Sequence, residues 1–437
     1  MKRLLGEAGF FAYLDALNQP YTRALRVNLL LRPDGTPPCP IEGLGAPVPW
    51  AKGAYFVEGD ARPGLSPLHE GGLFYMQEPS ALTAVTALDP QPGERVLDLC
   101  AAPGGKSTQI AALMAGRGLL CCNEPIPSRA QILSRNIERM GVRNAVVLSA
   151  MPDALAPRFP AFFDRILVDA PCSGEGMFRR QPEARDEWDA DAPRRCADRQ
   201  MEILAQAAKM LRPGGTMVYS TCTFNDTENE GVLRRFLALH PEFSLVPFAL
   251  PGLPEAKDGY LHLYPHEMRG EGHFVSRLKK ADGADEADAP VQAAPQRKAP
   301  ARAAAKGKAP APIALPDVFS DAFAPERLYT AGDALWMLPE GISIERLSGL
   351  RVLRTGLLLA HAEGKRSEPD HALAMALRPE EAARTASLTQ AQALAYQAGE
   401  TLALGDLPGG YTLLCCEGVS LGWGKQAGGL MKNHYPK

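Results

Sequence analysis

The chain is 437 residues long, 46% hydrophobic and 22% charged, with 47 Lys and Arg against 50 Asp and Glu for a formal charge of −3. That composition builds packed cores and excludes a wholly disordered chain or a histone-like polycation, while leaving room for a local basic groove. Nine cysteines, odd in number, mostly in apolar runs and never spaced Cys-x-x-Cys, exclude a disulfide scaffold and argue against a structural zinc site. Glu7 and Asp15 interrupt the N-terminal stretch, which is no signal peptide, and no run of about eighteen apolar residues occurs, so a reduced, cytoplasmic protein with no membrane span is expected.

Residues 1–70 read as a small accessory domain. Pro33, Pro37, Pro38, Pro40, Pro47 and Pro49 fill much of it with loops. Over 71–280 the pattern is regular. Short apolar runs at 94–100, 118–124, 144–150, 163–170 and 215–222 predict strands. Helical patterns are predicted from about Ser107, over 128–141 closed by Gly141, over 194–211 and over 225–240. Strands alternating with helices imply right-handed βαβ units, a mostly parallel sheet and ligands at the carboxyl ends of the strands. The run 273–280 is expected as a late edge strand. The pairs Cys121-Cys122 and Cys415-Cys416 read as strand residues facing opposite ways.

Residues 281–315 read as a flexible linker, Ala- and Pro-rich through 310, with Pro290, Pro295 and Pro300 interrupting any long helix. Residues 316–437, short apolar runs separated by glycine, read as a small α+β or β-rich unit.

The segment Cys100-Ala101-Ala102-Pro103-Gly104-Gly105-Lys106-Ser107 leaves a strand and opens a helix, a place where backbone N–H groups and glycine flexibility let a ligand approach. It is not a phosphate loop, because G-x-x-x-x-G-K-[ST] needs glycine where Cys100 stands. Glu124, ending the second strand, suits the hydroxyls of a ribose, and Asp153, after the third, suits an adenine amino group. A solvated strand end or a turn explains either acid alone. Together they sketch an adenosine pocket without a polyphosphate cradle, which fits S-adenosylmethionine better than ATP or NAD. The fourth strand ends in Asp169-Ala170-Pro171-Cys172-Ser173-Gly174 and the fifth in Ser220-Thr221-Cys222-Thr223. In a doubly wound sheet Asp169, Cys172 and Cys222 emerge beside the glycine loop.

In order, VLDLCAAPGGKST, NEPIPSRAQILSRN, ILVDAPCSGEGMF and VYSTCTFNDTENE resemble the motifs of the Nol/Nop/Sun family of RNA cytosine-5 methyltransferases, and the DAPCSG and STCT pair is highly specific. The resemblance covers roughly residues 20–280, and the C-terminal GWGK…LMKNHYP is similar to the tail domain of a bacterial branch that modifies small-subunit ribosomal RNA. It implies a class I Rossmann-like domain over 71–280, an N-terminal RNA-binding domain and a C-terminal PUA-like RNA-binding region. S-adenosylmethionine would be held by residues 100–106, Glu124, Asp153 and Asp169. The resemblance further implies Cys222 as the thiol that adds to carbon 6 of cytosine, Cys172 as the group assisting release, Asp169 as the holder of the base and Lys106 as an orienting cation. Residue chemistry alone does not rank the two cysteines, since DNA cytosine-5 enzymes attack from a Pro-Cys segment. Cys172 also stands where enzymes that methylate exocyclic amines carry an aromatic residue, which disfavours that chemistry.

Arg26 and Asn28, within an Arg-x-Asn segment similar to the family's, Arg179 and Arg180 after the catalytic loop, and Lys425 and Lys432 in the tail are the expected RNA contacts. The expected partner is ribosomal RNA or the small ribosomal subunit, with the protein a monomer and no metal. Transfer RNA, large-subunit RNA and an assembly factor with little turnover are the rivals. His273-Phe274 departs from the family's frequent Gly-Phe-Phe.

Overall fold

The structure, a computed structural model, describes residues 1–181, 183–186, 188–283, 313, 318, 327–363 and 366–436. The linker expected over 281–315 falls, apart from 281–283 and 313, outside the described residues.

Five parallel strands form the centre, in the order Leu211–Thr221, Phe163–Asp169, Arg95–Asp98, Leu119–Asn123 and Ala145–Leu148. The chain runs outward from Arg95–Asp98 in one direction, then restarts beside it at Phe163–Asp169 and runs the other way. That reversal opens a crevice at the carboxyl ends of these two strands. Both faces of the sheet are covered, so its strand centres are apolar runs rather than alternating; Leu119–Asn123 and Ala145–Leu148 are buried at every position. Cys122 packs in the cluster on one face with Leu120 and Val147, and Cys121 in the cluster on the other with Leu119 and Val146. The helix Pro127–Arg139 turns Ala130, Leu133 and Ile137 inward at helical spacing. Leu133 and Ile137 each contribute about 1.5–3 kcal/mol on burial.

The structure differs from the sequence pattern in three places. His273–Lys280 is not an edge strand: it lies antiparallel between Leu211–Thr221 and Phe243–Leu245, and also pairs with Tyr260–Leu263. The N-terminal unit runs past residue 70, because Phe74–Gln77 completes its antiparallel sheet against Arg23–Val27, beside Ala54–Val57 and Leu44–Pro47. The C-terminal part, as the α+β or β-rich reading expects, has two four-stranded sheets with short helices. One comprises Leu328–Ala331, Ala334–Met337, Leu357–Glu363 and Arg366–Pro369; the other comprises Thr385–Ser387, Gly410–Cys416, Val419–Ala427 and Leu430–Asn433. Cys415 and Cys416 there join different clusters, and Trp423 is 2% exposed, its indole N–H donating to the Asp370 carbonyl at 2.9 Å.

The third difference concerns the catalytic sheet itself. The strand Val352–Arg354 pairs antiparallel with Ala145–Leu148 and caps that edge. The segment is fastened by the Ser149 N–H on the Arg351 carbonyl at 2.9 Å, by the Arg346 guanidinium on the Arg158 carbonyl at 2.9 Å, and by the pair of buried Arg354 with half-buried Glu138. Three residues carry no strand signal of their own; the exposed hydrogen-bonding edge of Ala145–Leu148 supplies the template. Among the described residues, no helix is long and apolar enough to cross a membrane.

Candidate active site

A cavity of about 420 Å³ opens at the carboxyl ends of Arg95–Asp98 and Phe163–Asp169. Its lining includes Cys100 to Pro103, Gly105, Lys106, Asp169, Cys222 and His273, closed on one side by Tyr75 to Glu78 of the N-terminal unit. The glycine loop reaches it because Gly104, at φ +113, turns the chain into the helix Gly105–Leu113. The loop is tied on three sides. Asn136 donates to the Pro103 carbonyl at 2.9 Å, Arg129 to the Ala102 carbonyl at 3.2 Å, and Arg26 to the Gly105 carbonyl at 3.2 Å.

Lys106 and Asp169 form an ion pair at 2.7 Å. The other oxygen of Asp169 accepts the Ser220 hydroxyl at 2.8 Å and lies 3.4 Å from Nε2 of His273. Burial pushes the Asp169 carboxyl up, but Lys106 and His273 outweigh it and hold the group well below the ordinary carboxylate range. Burial likewise pulls Lys106 down and Asp169 pulls it up further, so both stay charged. The sulfurs of Cys172 and Cys222 are 3.3 Å apart. The bond to Cys222 and then burial push the Cys172 thiol well up, so it keeps its proton, while Cys100 is pushed up by burial. The two cysteine loops approach so closely that a Cβ on Gly176 would sit 2.9 Å from the Cys222 carbonyl oxygen, which accepts the Gly176 N–H at 2.8 Å.

Asp98, fully buried, accepts the Ser107 hydroxyl at 2.6 Å, and its second oxygen has no partner. Burial, only partly offset by Ser107, pushes it up to about 7. An ordinary aspartate titrates near 3.9, so between about pH 4 and pH 7 the folded chain holds a proton that the unfolded chain has lost. This group's contribution to stability therefore falls as pH rises across that window, by at most about 4 kcal/mol, and is flat above it. Asp98→Asn removes the effect: relative to the native chain, the variant is expected to gain stability from pH 4.5 to pH 7.5 in denaturant unfolding, whereas parallel curves would refute it.

Several expected residues stand elsewhere. Glu124 is buried at the end of Leu119–Asn123, where it accepts the Ile126 N–H at 2.9 Å and faces Arg129 at 3.4 Å, and Asp153 is exposed; neither lines the cavity. Arg26 and Asn28, expected to meet RNA, are each 1% exposed. Arg26 also bonds the Thr108 hydroxyl at 2.8 Å, and Asn28 donates to the Gly72 and Met140 carbonyls at 3.0 Å, so both join the N-terminal unit to the catalytic domain. Arg179 is likewise buried, bound bidentately to Glu271 at 2.6 and 2.7 Å. These three are corrected to internal contacts. Arg180 is exposed at the cavity mouth, Lys432 is exposed, and Lys425 lies 4.6 Å over the Tyr411 ring. Sequence reasoning missed His273 as a cavity residue, and it missed Glu228. The signal for Glu228 was the polar run Asn225-Asp226-Thr227-Glu228-Asn229, placed directly after the Cys222 turn.

The doubly wound sheet, the adenosine-type loop and the paired thiols define a Rossmann-fold methyltransferase. Family models match along the chain: the N-terminal domain of 16S rRNA methyltransferase RsmF over 1–79, 16S rRNA methyltransferase RsmB/F over 85–279, the RsmF first C-terminal domain over 316–377 and the methyltransferase RsmF PUA domain over 383–437. Ribosomal RNA small subunit methyltransferase F of Erwinia tasmaniensis is 33% identical over 100% of this chain and 94% of its own length, and that of Escherichia coli O127:H6 is 34% identical over 98% and 92%. The structure of a methyltransferase homolog protein from Pyrococcus horikoshii matches with a TM-score of 0.52 at 29% identity, over 64% of this chain and 97% of that one. NSun6 from Pyrococcus horikoshii, solved with SFG, shares the fold at a TM-score of 0.55 and 22% identity, over 64% and 97%. The chain belongs to the ribosomal RNA small subunit methyltransferase F family.

Proposed function

We propose that this protein methylates carbon 5 of cytosine in small-subunit ribosomal RNA through a covalent adduct with Cys222. The observation that carries the reading is the pair of sulfurs 3.3 Å apart, one of them lining a cavity that also holds Lys106 and Asp169. The cavity, the tied glycine loop and the partnerless buried oxygen of Asp98 fit S-adenosylmethionine, with Cys100 to Pro103, Gly105 and Lys106 against the cofactor; Glu124 and Asp153, outside the cavity lining, are assigned to its ribose and adenine on the sequence pattern alone. The bound cofactor supplies an electrophilic methyl group.

Carbon 5 of cytosine is a weak nucleophile. The Cys222 thiolate adds to carbon 6 and shifts electron density to carbon 5. Asp169, ionised and anchored by Lys106, is placed to accept hydrogen bonds from the exocyclic amine of the base and so to hold the ring against Cys222. Lys106, 12% exposed, lines the cavity as an ammonium beside Cys222 and Asp169. After methylation the carbon 5 proton leaves, the carbon 6–sulfur bond breaks and Cys222 is restored. Arg180, Lys425 and Lys432 meet RNA phosphates, and the target base is flipped or drawn from a single-stranded loop. The protein acts as a cytoplasmic monomer on ribosomal RNA or the small subunit; the relatives' small-subunit names weigh against transfer RNA and large-subunit RNA.

Bisulfite sequencing of small-subunit ribosomal RNA tests this. A deletion strain is expected to lose protection at one or more cytosines, regained with the native chain and not with Cys222→Ala. Unchanged ribosomal RNA would refute the reading.

A further inference from the structure

Glu228 is fully buried just beyond the Cys222 turn, before the helix Glu230–Leu239. Its carboxylate accepts four hydrogen bonds: the Ser173 N–H at 3.0 Å, the Ser173 hydroxyl, Nε2 of Gln200 at 2.9 Å and Nδ2 of Asn225 at 2.8 Å. Gln200, also fully buried, has its side-chain oxygen fixed by the Tyr219 hydroxyl at 2.9 Å, and its Nε2 reaches the Pro171 carbonyl at 3.0 Å. The backbone on both sides of Cys172 is therefore held, Ser173 by Glu228 and Pro171 by Gln200. From the other direction, Glu175 accepts the Phe224 and Asn225 N–H groups at 2.8 and 3.1 Å, which fixes the Cys222 turn to the same loop. Two turns fifty residues apart in sequence are thus tied by carboxylates, and their sulfurs meet at 3.3 Å.

We propose that Glu228 is the positioning residue for the second thiol: it sets the Pro171–Ser173 turn so that the Cys172 S–H points at the Cys222 sulfur as that sulfur leaves the base. This rests on the reading of Cys222 as attacking thiol and Cys172 as release thiol. In the release step the carbon 5–hydrogen electron pair forms the carbon 5–carbon 6 double bond and the proton passes to water. The carbon 6–sulfur pair returns to Cys222 as thiolate, and the Cys172 S–H donates a hydrogen bond to it. Glu228 also acts through its charge. After the bond to Cys222 and burial, its negative charge adds to what keeps the proton on Cys172. A buried carboxylate is costly unless donors replace its lost water, and the four donors here fix Glu228 in one place. Here two of the four belong to Ser173, the neighbour of Cys172.

The test uses the full chain, unmethylated small-subunit ribosomal RNA transcribed in vitro and labelled S-adenosylmethionine. Glu228→Gln keeps shape but sets an amide N–H₂ against donors. Steady-state turnover is expected to fall about 100-fold while methyl transfer in the first turnover changes less than about threefold. A covalent protein–RNA complex should accumulate on denaturing gels, as in Cys172→Ala. On the same RNA made with 5-fluorocytidine, which cannot lose its carbon 5 substituent as a proton, the variant and the native chain should form equal adduct. S-adenosylhomocysteine affinity reports folding. If Glu228→Gln fails to bind it, Gln200→Met takes its place, with accumulation of the same complex expected and turnover down about tenfold. Trapping in Cys172→Ala with none in either positioning variant overturns this proposal alone. No trapping in Cys172→Ala, with trapping in Cys222→Ala, overturns the reading beneath it.

Discussion

Cys222→Ala is expected to abolish methyl incorporation and every covalent RNA complex, whereas Cys172→Ala completes its first methyl transfer and then holds RNA through Cys222. Removing a covalent nucleophile costs about 10⁴-fold or more in turnover, because the unassisted attack of carbon 5 returns to its full barrier. Removing the second thiol leaves addition intact and slows elimination, by about 100-fold for the loss of one hydrogen-bond donor to the departing thiolate. The geometry makes the pair informative. Cys222 lines the cavity with Lys106 and Asp169, and Cys172 stands behind it at 3.3 Å with its proton retained. Labelled methyl incorporation and a denaturing gel of each variant with ribosomal RNA read both outcomes. An adduct in Cys222→Ala and none in Cys172→Ala would exchange the two roles.

Arg179→Ala is expected to cost about 3–5 kcal/mol of stability, the penalty for leaving a buried partner charge uncompensated. Its side chain is 8% exposed and that of Glu271 is 2%. Besides binding Glu271 twice, Arg179 donates to the Ala16 carbonyl at 2.8 Å and the Gly270 carbonyl at 2.9 Å. Glu271 also accepts the Thr22 N–H at 2.9 Å, and Glu78 accepts the Glu271 N–H at 2.8 Å. One ion pair thus joins the helix Lys2–Leu17, the loop after Cys172 and the start of His273–Lys280. Guanidinium chloride unfolding should show the loss, and Arg179→Met with Glu271→Gln together should lose less than Arg179→Ala alone. A variant as stable as the native chain would return Arg179 to the surface role suggested by its sequence neighbours.

The catalytic chemistry was legible in the sequence because its signals are local. A glycine turn between strand and helix, and thiols at strand ends, are contiguous motifs, and the opposed facing of Cys121 and Cys122 follows from the two-residue period of a strand. Arg26, Asn28 and Arg179 were misread because an arginine beside a nucleic-acid motif looks the same whether its partner is a phosphate or a carbonyl eighty residues away. Arg26 meets Gly105 and Thr108, and Arg179 meets Glu271, pairings that only the folded chain creates. Glu228 was passed over for the opposite reason: a carboxylate in a polar run reads as solvated, and its burial depends on Gln200 and Ser173 converging on it. His273 sat in a segment read as an edge strand, and its nearness to Asp169 follows from that strand lying inside the sheet.

The pairing of Val352–Arg354 with Ala145–Leu148 bears on how the protein is made. During synthesis the ribosome finishes every other strand of the catalytic sheet more than seventy residues before this last one emerges. Until then Ala145–Leu148 presents an unpaired, wholly apolar border, the kind of surface on which nascent chains stick to one another. A gene fragment stopped at Lys280 would encode all the catalytic side chains and still yield a sheet with a raw flank, inviting aggregation. The tail is thus part of the enzyme's own architecture, and its loss should be felt first as poor solubility.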